Sequence, residues 1–266
     1  MKDLSRRLPT TMVLIVFAYA AIRFLPVPYF SALLYCLISL AVWELVRLTR
    51  PQNFSLPLIF ANGLLVALAF TIKQFDLAYA LSCGLLANGL FFLFTVKSRE
   101  RLESFVRDWG ILFLTTVYLY IPLYFLLELK KLGANYLFFL IFVIAVGDSG
   151  AYFVGSVLGK HKIYPVASPK KSLEGLIAAI VTAALSGWLA LLLFPVTVGI
   201  ATAMITAAVI GLFSQLSDPV ESLFKRAAGK KDSGSLLPGH GGILDRVDSY
   251  IFCAPLLFYL IRYFWK

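Results

Sequence analysis

Nine long apolar runs, separated by short polar breaks, are the feature that most constrains the fold of this chain. A hydrocarbon layer about 30 Å thick requires about 20 mostly apolar residues in helical conformation. The runs lack the apolar and polar alternation of barrel strands, which indicates helices. The sequence therefore predicts an all-α, polytopic integral membrane protein with about nine transmembrane helices, at approximately 9–25, 27–48, 55–72, 76–96, 107–127, 134–158, 173–194, 196–218 and 245–264.

The composition and the placement of charge agree with this fold class. Of the 266 residues, 60% are hydrophobic and 14% are charged, which excludes an ordinary soluble domain. With the amino terminus inside, 18 of the 24 Lys and Arg residues fall in inside segments, and the outside segments hold only Arg23, Lys73, Lys130, Lys131, Arg262 and Lys266. The positive-inside rule thus predicts the amino terminus inside and the carboxyl terminus outside. This topology explains the net charge of +10 without a nucleic-acid partner.

Polar residues divide the chain into two regions. The spans before position 130 are nearly free of polar residues, so we expect 1–130 to form a transmembrane scaffold and 131–266 to form a catalytic region with cytoplasmic loops. Glu44 is an exception in the scaffold, and we interpret it as a residue beside Arg47 and Arg50 that either snorkels to the interface or forms an interfacial ion pair. Half of the 14 acidic residues follow position 130, namely Asp148, Glu174, Asp218, Glu221, Asp232, Asp245 and Asp248. Charges near hydrocarbon are costly unless paired, hydrated or metal-bound, so this concentration predicts a functional site.

Two carboxylate patterns indicate a divalent cation. If the eighth span continues as a helix, Asp218, then Glu221 or Ser222, and then Lys225 recur on one helical face. Asp245 and Asp248 are three residues apart and can point into one cavity. Hard cations such as Mg²⁺ take carboxylate oxygens together with water and substrate phosphates. A zinc site is not indicated, because the cysteines lie in separate spans, at Cys36, Cys83 and Cys253.

Two further stretches are suited to phosphate. The glycine-rich turn 238–242 contains His240, Gly241 and Gly242 and allows backbone N–H groups to approach phosphate oxygens, although it could equally be a simple loop. It lacks the lysine of a Walker loop. Asp148 lies within an apolar span between glycines, which indicates either a ligand contact or helix packing. The Lys170–Lys171 pair could bind phosphate or could serve only topology and lipid headgroups.

These stretches together resemble the signature of the phosphatidate cytidylyltransferases, also called CDP-diacylglycerol synthases. The matched residues are Ser222-x-Phe224-Lys225-Arg226, Lys231-Asp232-x-Gly234, Leu237-Pro238-x-His240-Gly241-Gly242-Ile243 and Asp245-Arg246-Val247-Asp248. Two central stretches are also similar to the family, namely Asp148-Ser149-Gly150-Ala151-Tyr152 and Ser168-Pro169-Lys170-Lys171-Ser172. The chain departs from the family pattern at Ser217-Asp218-Pro219, where Gly-Asp-Leu is usual, and at Leu173, where an aromatic residue is usual. Pro219 is expected to kink the helix just after Asp218 and to weaken the argument for one shared face.

The resemblance implies a nucleotidyl transfer from CTP to phosphatidic acid that yields CDP-diacylglycerol and pyrophosphate, at the cytoplasmic face of a bacterial inner membrane. It implies that Asp218 and Asp245 bind Mg²⁺ with help from Asp248, with room for a second cation. Phosphate clamps are assigned to Lys225, Arg226 and Arg246. Nucleotide, pyrophosphate or lipid phosphate would be held by the remaining motif residues, which are Asp148, Ser168, Lys170, Lys171, Ser222, Lys231, Asp232, His240, Gly241 and Gly242. Membrane lipids are the surrounding partners, and a homodimer is compatible by family analogy.

Two alternatives stay open at this stage. A related transferase could activate another lipid phosphate, because surfaces that bind acyl chains are apolar and largely interchangeable. A transporter would also contain intramembrane acids, but transporters commonly show paired interrupted helices in both halves. The polar residues here lie almost entirely in one half, which favours the enzyme.

Overall fold

A computed structural model of the protein describes residues 2–49, 59, 61, 63, 64, 66, 77–236 and 241–265. The helices of these residues are α1 (Lys2–Phe24), α2 (Val27–Thr49), α3 (Leu77–Thr95), α4 (Arg99–Thr115), α5 (Ile121–Leu132), α6 (Ala134–Leu158), α7 (Leu173–Leu193), α8 (Ile200–Ala227) and α9 (Leu244–Phe264). A π-helical segment, Thr116–Tyr120, joins α4 to α5.

Six of the described helical segments are long and apolar enough to cross a membrane: Val27–Thr49, Leu102–Leu132, Ala134–Leu158, Leu173–Leu193, Ile200–Ala227 and Leu244–Phe264. Two shorter apolar helices, Met12–Phe24 and Leu81–Thr95, coincide with further predicted spans. The predicted span at 55–72 lies mostly outside the described residues. The protein is therefore a helical, polytopic membrane protein, as the apolar runs predicted.

A short β-hairpin departs from the predicted all-α fold. Strands β1 (Lys162–Tyr164) and β2 (Ser168–Ser172) pair antiparallel between α6 and α7. The Ser172 hydroxyl then accepts a hydrogen bond from the backbone N–H of Gly175 at 3.2 Å, which caps the first turn of α7. Because the cap joins β2 directly to α7, the Lys170–Lys171 pair is held at the end of that helix.

Small residues allow α6, α7 and α8 to pack closely. A Cβ added at Gly211 on α8 would lie 2.5 Å from Cβ of Ala183 on α7, so the two backbones approach as only glycine permits. Gly147 on α6 faces the same Ala183. The opposite face of α7 exposes large apolar side chains, as expected of a surface in contact with lipid, at Ile177, Val181, Leu185 and Leu192. This tight three-helix unit carries Asp148, the hairpin and Asp218.

The amino-terminal and carboxyl-terminal regions share one hydrophobic core. Leu45 of α2, Leu123 of α5, Phe139 of α6 and Leu244 of α9 are almost completely buried within it. The first turn of α9, where the Asp245 and Asp248 pair begins, is therefore packed against the amino-terminal region.

Candidate functional site

A cleft of about 760 Å³ lies between the hairpin, α6, α7, α8 and α9. Predicted site residues from four separate stretches of the sequence line it: Asp148, Ser168, Lys170, Lys171, Asp218, Asp245 and Asp248. The fold thus brings Asp148 and the Lys170–Lys171 pair to the same cavity as the carboxylates of Asp218, Asp245 and Asp248.

Helix α8 forms one wall and runs without interruption from Ile200 to Ala227, with Pro219 inside it. The Ser222 hydroxyl donates to Asp218 Oδ1 at 3.4 Å, four residues away. One turn further on, the ammonium group of Lys225 pairs with the carboxylate of Glu221. The proline therefore does not separate these side chains, which share one face as their spacing indicates.

Pro219 instead leaves a backbone carbonyl of α8 available to Lys171. Proline has no N–H, so the helix leaves the carbonyl oxygen of Gln215 without its usual donor. Lys171 Nζ donates to this carbonyl at 3.3 Å and lies 2.9 Å from Asp218 Oδ2. The side chain of Gln215 points to Asp148, because its Nε2 donates to Asp148 Oδ1 at 2.6 Å. Gln215 was not among the predicted site residues. It connects Asp148, through its side chain, to Lys171, through its backbone carbonyl.

Lys225 is 8% exposed and lies between two carboxylates. Besides Glu221 it contacts Asp245, with its Nζ 2.8 Å from Asp245 Oδ1. The other oxygen of Asp245 accepts hydrogen bonds from Gly242 N at 2.8 Å and Ser233 N at 3.1 Å, and it lies 3.0 Å from the hydroxyl oxygen of Ser233. In this structure Asp245 therefore orients Lys225 and the segments around Ser233 and Gly242.

Three carboxylates lie close together beside the ion pair of Lys225 and Asp245. Oxygens of Asp218, Glu221 and Asp248 all lie within 4.8 Å of one another. The hydroxyl of Ser217 donates to the backbone carbonyl of Asp248, which ties α8 to α9 at this point. The departure from the family pattern at position 217 thus joins the two helices that carry the cluster. Glu221 is absent from the predicted metal ligands, although its position three residues after Asp218 was a usable signal.

The charge of the site is unbalanced and suits a hard cation. The five carboxylates of Asp148, Asp218, Glu221, Asp245 and Asp248 lie beside the ammonium groups of Lys171 and Lys225, and two exposed hairpin lysines, Lys162 and Lys170, also line the cleft. Buried carboxylates are costly without counter-charge, and oxygen-only ligand sets are those that Mg²⁺ prefers. The residues present therefore fit a divalent cation.

Other predicted residues lie elsewhere. Arg226 is exposed and donates to the backbone oxygen of Lys230 at 3.2 Å, at the end of α8. Three more predicted residues, Lys231, Asp232 and Arg246, are also exposed. Gly241 has a φ of 79°, and a Cβ there would lie 2.7 Å from Asp245 Oδ2. His240 lies outside the described residues.

The interpretation of Glu44 as a residue that snorkels to the membrane interface or forms an ion pair there is wrong, and Arg50 lies outside the described residues. Glu44 is 1% exposed, and its Oε2 accepts hydrogen bonds from Ser233 Oγ at 3.0 Å and from Leu244 N at 2.8 Å. The guanidinium of Arg47 lies over the ring of Trp43, 5.0 Å from its centroid. A contact between residues 189 positions apart leaves no local pattern in the sequence.

Comparison with known proteins adds a family relationship to this geometry. A model of the cytidylyltransferase family matches residues 5–264. The chain is 35% identical to the phosphatidate cytidylyltransferase of Bacillus subtilis over 274 residues, which cover 99% of this chain and 100% of that protein. It is 34% identical to the phosphatidate cytidylyltransferase of Staphylococcus saprophyticus, with 90% of this chain and 94% of that protein covered. For the protein of the same name from Staphylococcus aureus strain COL, the identity is 34% and the coverage is 82% and 84%.

Proposed function

We propose, from the premise that the chain belongs to the cytidylyltransferase family, that it transfers the cytidylyl group of CTP to phosphatidate. The products are CDP-diacylglycerol and pyrophosphate. The family resemblance predicted from the motifs is confirmed, and so is the prediction of a nucleotidyltransferase. The observation that carries the proposal is the family match along residues 5–264, which includes every side chain of the cleft.

The reaction joins two polyanions, so charge neutralisation and positioning are its main requirements. An oxygen of the lipid phosphate attacks the α-phosphorus of CTP, and the bond from that phosphorus to the bridging oxygen of the pyrophosphate breaks. A phosphate monoester has a second pKa of about 6 and is a dianion at neutral pH, so this attack needs no protein base. Lys171 and Lys225 supply positive charge beside the cleft.

Asp218, Glu221 and Asp248 would hold Mg²⁺, because their oxygens converge within 4.8 Å. When bound, the cation neutralises phosphate charge. Asp245 holds Lys225 between itself and Glu221. A direct bond from Asp245 to a cation stays a prediction, as do a second cation, the phosphate contacts of Arg226, Arg246, Lys231, Asp232 and His240, and the homodimer.

The lipid enters the cleft sideways from the inner leaflet, so that its acyl chains remain in hydrocarbon. Aromatic and apolar side chains that line the cleft support this route. Tyr152 lines the cleft and is 71% exposed, and Leu176 lines it on the first turns of α7. Ser168 and Lys170 on the hairpin provide polar contacts for headgroup or nucleotide at the same opening.

The decisive experiment is the conversion of radiolabelled CTP to a lipid-soluble product by the purified protein in detergent. We expect label in the lipid phase with phosphatidic acid and Mg²⁺, and none when EDTA removes the cation. If label appears only with a polyprenyl phosphate or another lipid phosphate, that lipid and not phosphatidate is the acceptor. Folded protein that yields no label with any lipid phosphate would contradict the proposal.

The proposed topology has nine spans, with the amino terminus and the cleft on the cytoplasmic side of a bacterial inner membrane. We expect single cysteines to report it in a variant whose three native cysteines are replaced. A membrane-impermeant maleimide should label Lys131→Cys in intact cells, whereas exposed Lys160→Cys should react only after lysis. Labelling of Lys160→Cys in intact cells would invert the topology.

A further inference from the structure

Glu44 is a buried carboxylate in the region predicted to be a scaffold. It lies on α2, is 1% exposed and accepts hydrogen bonds at Oε2 from Ser233 Oγ and Leu244 N. Carboxylates are buried at high cost unless donors hold them, so such a residue in an apolar core requires an account. Both of its partners belong to segments that also hold Asp245.

The contact of Glu44 with the backbone N–H of Leu244 caps a helix that is distant in the sequence. Helix α9 begins at Leu244, and the side chain of the preceding Ile243 forms no capping hydrogen bond. The first N–H groups of a helix have no partner within it, and they form its positive end. Glu44 supplies an acceptor and a negative charge to Leu244 N at 2.8 Å. Helix α2 thus caps the helix that carries Asp245 and Asp248.

The contact of Glu44 with Ser233 links Glu44 to Asp245 through one hydroxyl group. Ser233 Oγ lies 3.0 Å from Glu44 Oε2 and 3.0 Å from Asp245 Oδ2. A hydroxyl has one proton, so it donates to one of these carboxylates at a time. The backbone N–H of Ser233 also donates to Asp245. The position of Ser233 therefore depends on both carboxylates together.

Two glycines of the signature are explained by the same carboxylate. A Cβ at Gly234 would lie 2.5 Å from Glu44 Oε1, and its three nearest neighbours would all be atoms of Glu44. A Cβ at Gly242 would overlap both Glu44 Oε2 and Ser233 Oγ. The backbone thus wraps closely around Glu44 on two sides, which glycine allows.

We infer that Glu44 is a positioning residue for the transfer reaction. Its carboxylate fixes the first turn of α9 and the segment around Ser233, and through them the places of Asp245, Lys225 and Asp248. The inference rests on the proposed function, because it concerns the same site. It assigns a role in catalysis to a helix that precedes all of the signature motifs.

The first test compares Glu44→Ala with Glu44→Gln and with Ser39→Ala in the CTP assay. Ser39 is the matched control, because it is equally buried on α2 and its hydroxyl contacts Tyr120 at 3.1 Å. We expect Glu44→Ala to lower kcat by about 10²-fold with KM for CTP within about threefold, since misplacement affects the chemical step. Glu44→Gln keeps one acceptor oxygen and should retain kcat within about tenfold of the wild type. A kcat of Glu44→Ala equal to that of Ser39→Ala would overturn the inference.

The second test needs no activity, and so separates failure of this inference from failure of the proposed function. Amide hydrogen exchange at 244–248 should become at least about tenfold faster in Glu44→Ala and stay unchanged in Ser39→Ala. Unchanged exchange in Glu44→Ala would overturn the capping role even if the wild type proves inactive. An inactive wild type with accelerated exchange in Glu44→Ala would count against the proposed function alone.

A third variant covers the case in which Glu44→Ala does not fold. Gly234→Ala introduces a Cβ whose nearest neighbours are all in Glu44, so it displaces the carboxylate without removing its charge. We expect Gly234→Ala to lower kcat by at least about tenfold. Gly234→Ala in the Glu44→Gln background should then have a smaller effect than in the wild type, because the two sites are coupled. Wild-type kcat in Gly234→Ala would overturn the inference.

Discussion

Replacing Asp218 or Asp248 with asparagine is expected to reduce CDP-diacylglycerol formation by about 10³-fold. Asparagine keeps the size of the side chain but removes its charge, and it is a weaker ligand for a hard cation. Oxygens of Asp218, Asp248 and Glu221 lie within 4.8 Å of one another. Each substitution therefore removes one of the three carboxylates of this cluster. Initial rates with saturating CTP and phosphatidic acid, over a series of Mg²⁺ concentrations, measure the effect.

Glu128→Gln is the matched control for these substitutions. Glu128 pairs with Lys131 at 2.6 Å on α5 and does not line the cleft, so this variant should keep the wild-type rate. Asp245→Asn extends the series. It should lower the rate, because Asp245 holds Lys225. An unchanged Mg²⁺ concentration for half-maximal activity would limit Asp245 to this role, whereas an increased one would support its predicted bond to a cation. If Asp218→Asn retained the rate of Glu128→Gln, the cluster would have no part in the reaction.

Lys225→Met is expected to affect both stability and activity. Lys225 lies between Glu221, which is fully buried, and Asp245, so its removal leaves two carboxylates without their shared counter-charge. Breaking a buried ion pair from one side typically destabilises a fold by about 3–5 kcal/mol. The loss of a positive charge beside the cleft should lower the transfer rate by at least about 10²-fold. Thermal unfolding in detergent and the CTP assay report the two effects separately.

Lys131→Met provides the comparison for Lys225→Met. The ion pair of Lys131 with Glu128 is partly exposed, with 43% of the lysine side chain accessible, and such pairs contribute about 0–1 kcal/mol. A loss of stability in Lys225→Met no larger than in Lys131→Met would show that Glu221 and Asp245 do not depend on Lys225.

The membrane spans were the most predictable part of the fold, because the length of an apolar run is set by the bilayer. The run at 134–158 coincides with α6, Ala134–Leu158. The run at 196–218 is too short, since α8 continues to Ala227. The turns after Asp218 carry the charged residues Glu221, Lys225 and Arg226, so hydropathy underestimates the helix. The hairpin at 162–172 was missed, because two short lysine-rich strands carry little apolar alternation.

Local spacing also predicted part of the candidate site. It placed Asp218, Ser222 and Lys225 on one face, and the structure brings them together despite Pro219. It did not predict the contact between Glu44 and Leu244, because nothing in either local pattern refers to the other. Residues whose partners lie on distant elements are set by tertiary packing, which a motif does not describe.

The backbone carbonyl of Gln215, which lacks a helical donor because of Pro219, affects how strongly the charge of Lys171 is neutralised. A carbonyl oxygen has lone pairs but no net charge, so it restrains the ammonium group of Lys171 without neutralising it. The carboxylate of Asp218 is the ion-pair partner of Lys171 within the part of the chain that the structure describes. An arriving phosphate therefore competes with the Asp218 carboxylate for this ammonium group. Pro219 therefore costs α8 one internal hydrogen bond, and the freed carbonyl holds the ammonium group of Lys171 next to the carboxylate of Asp218.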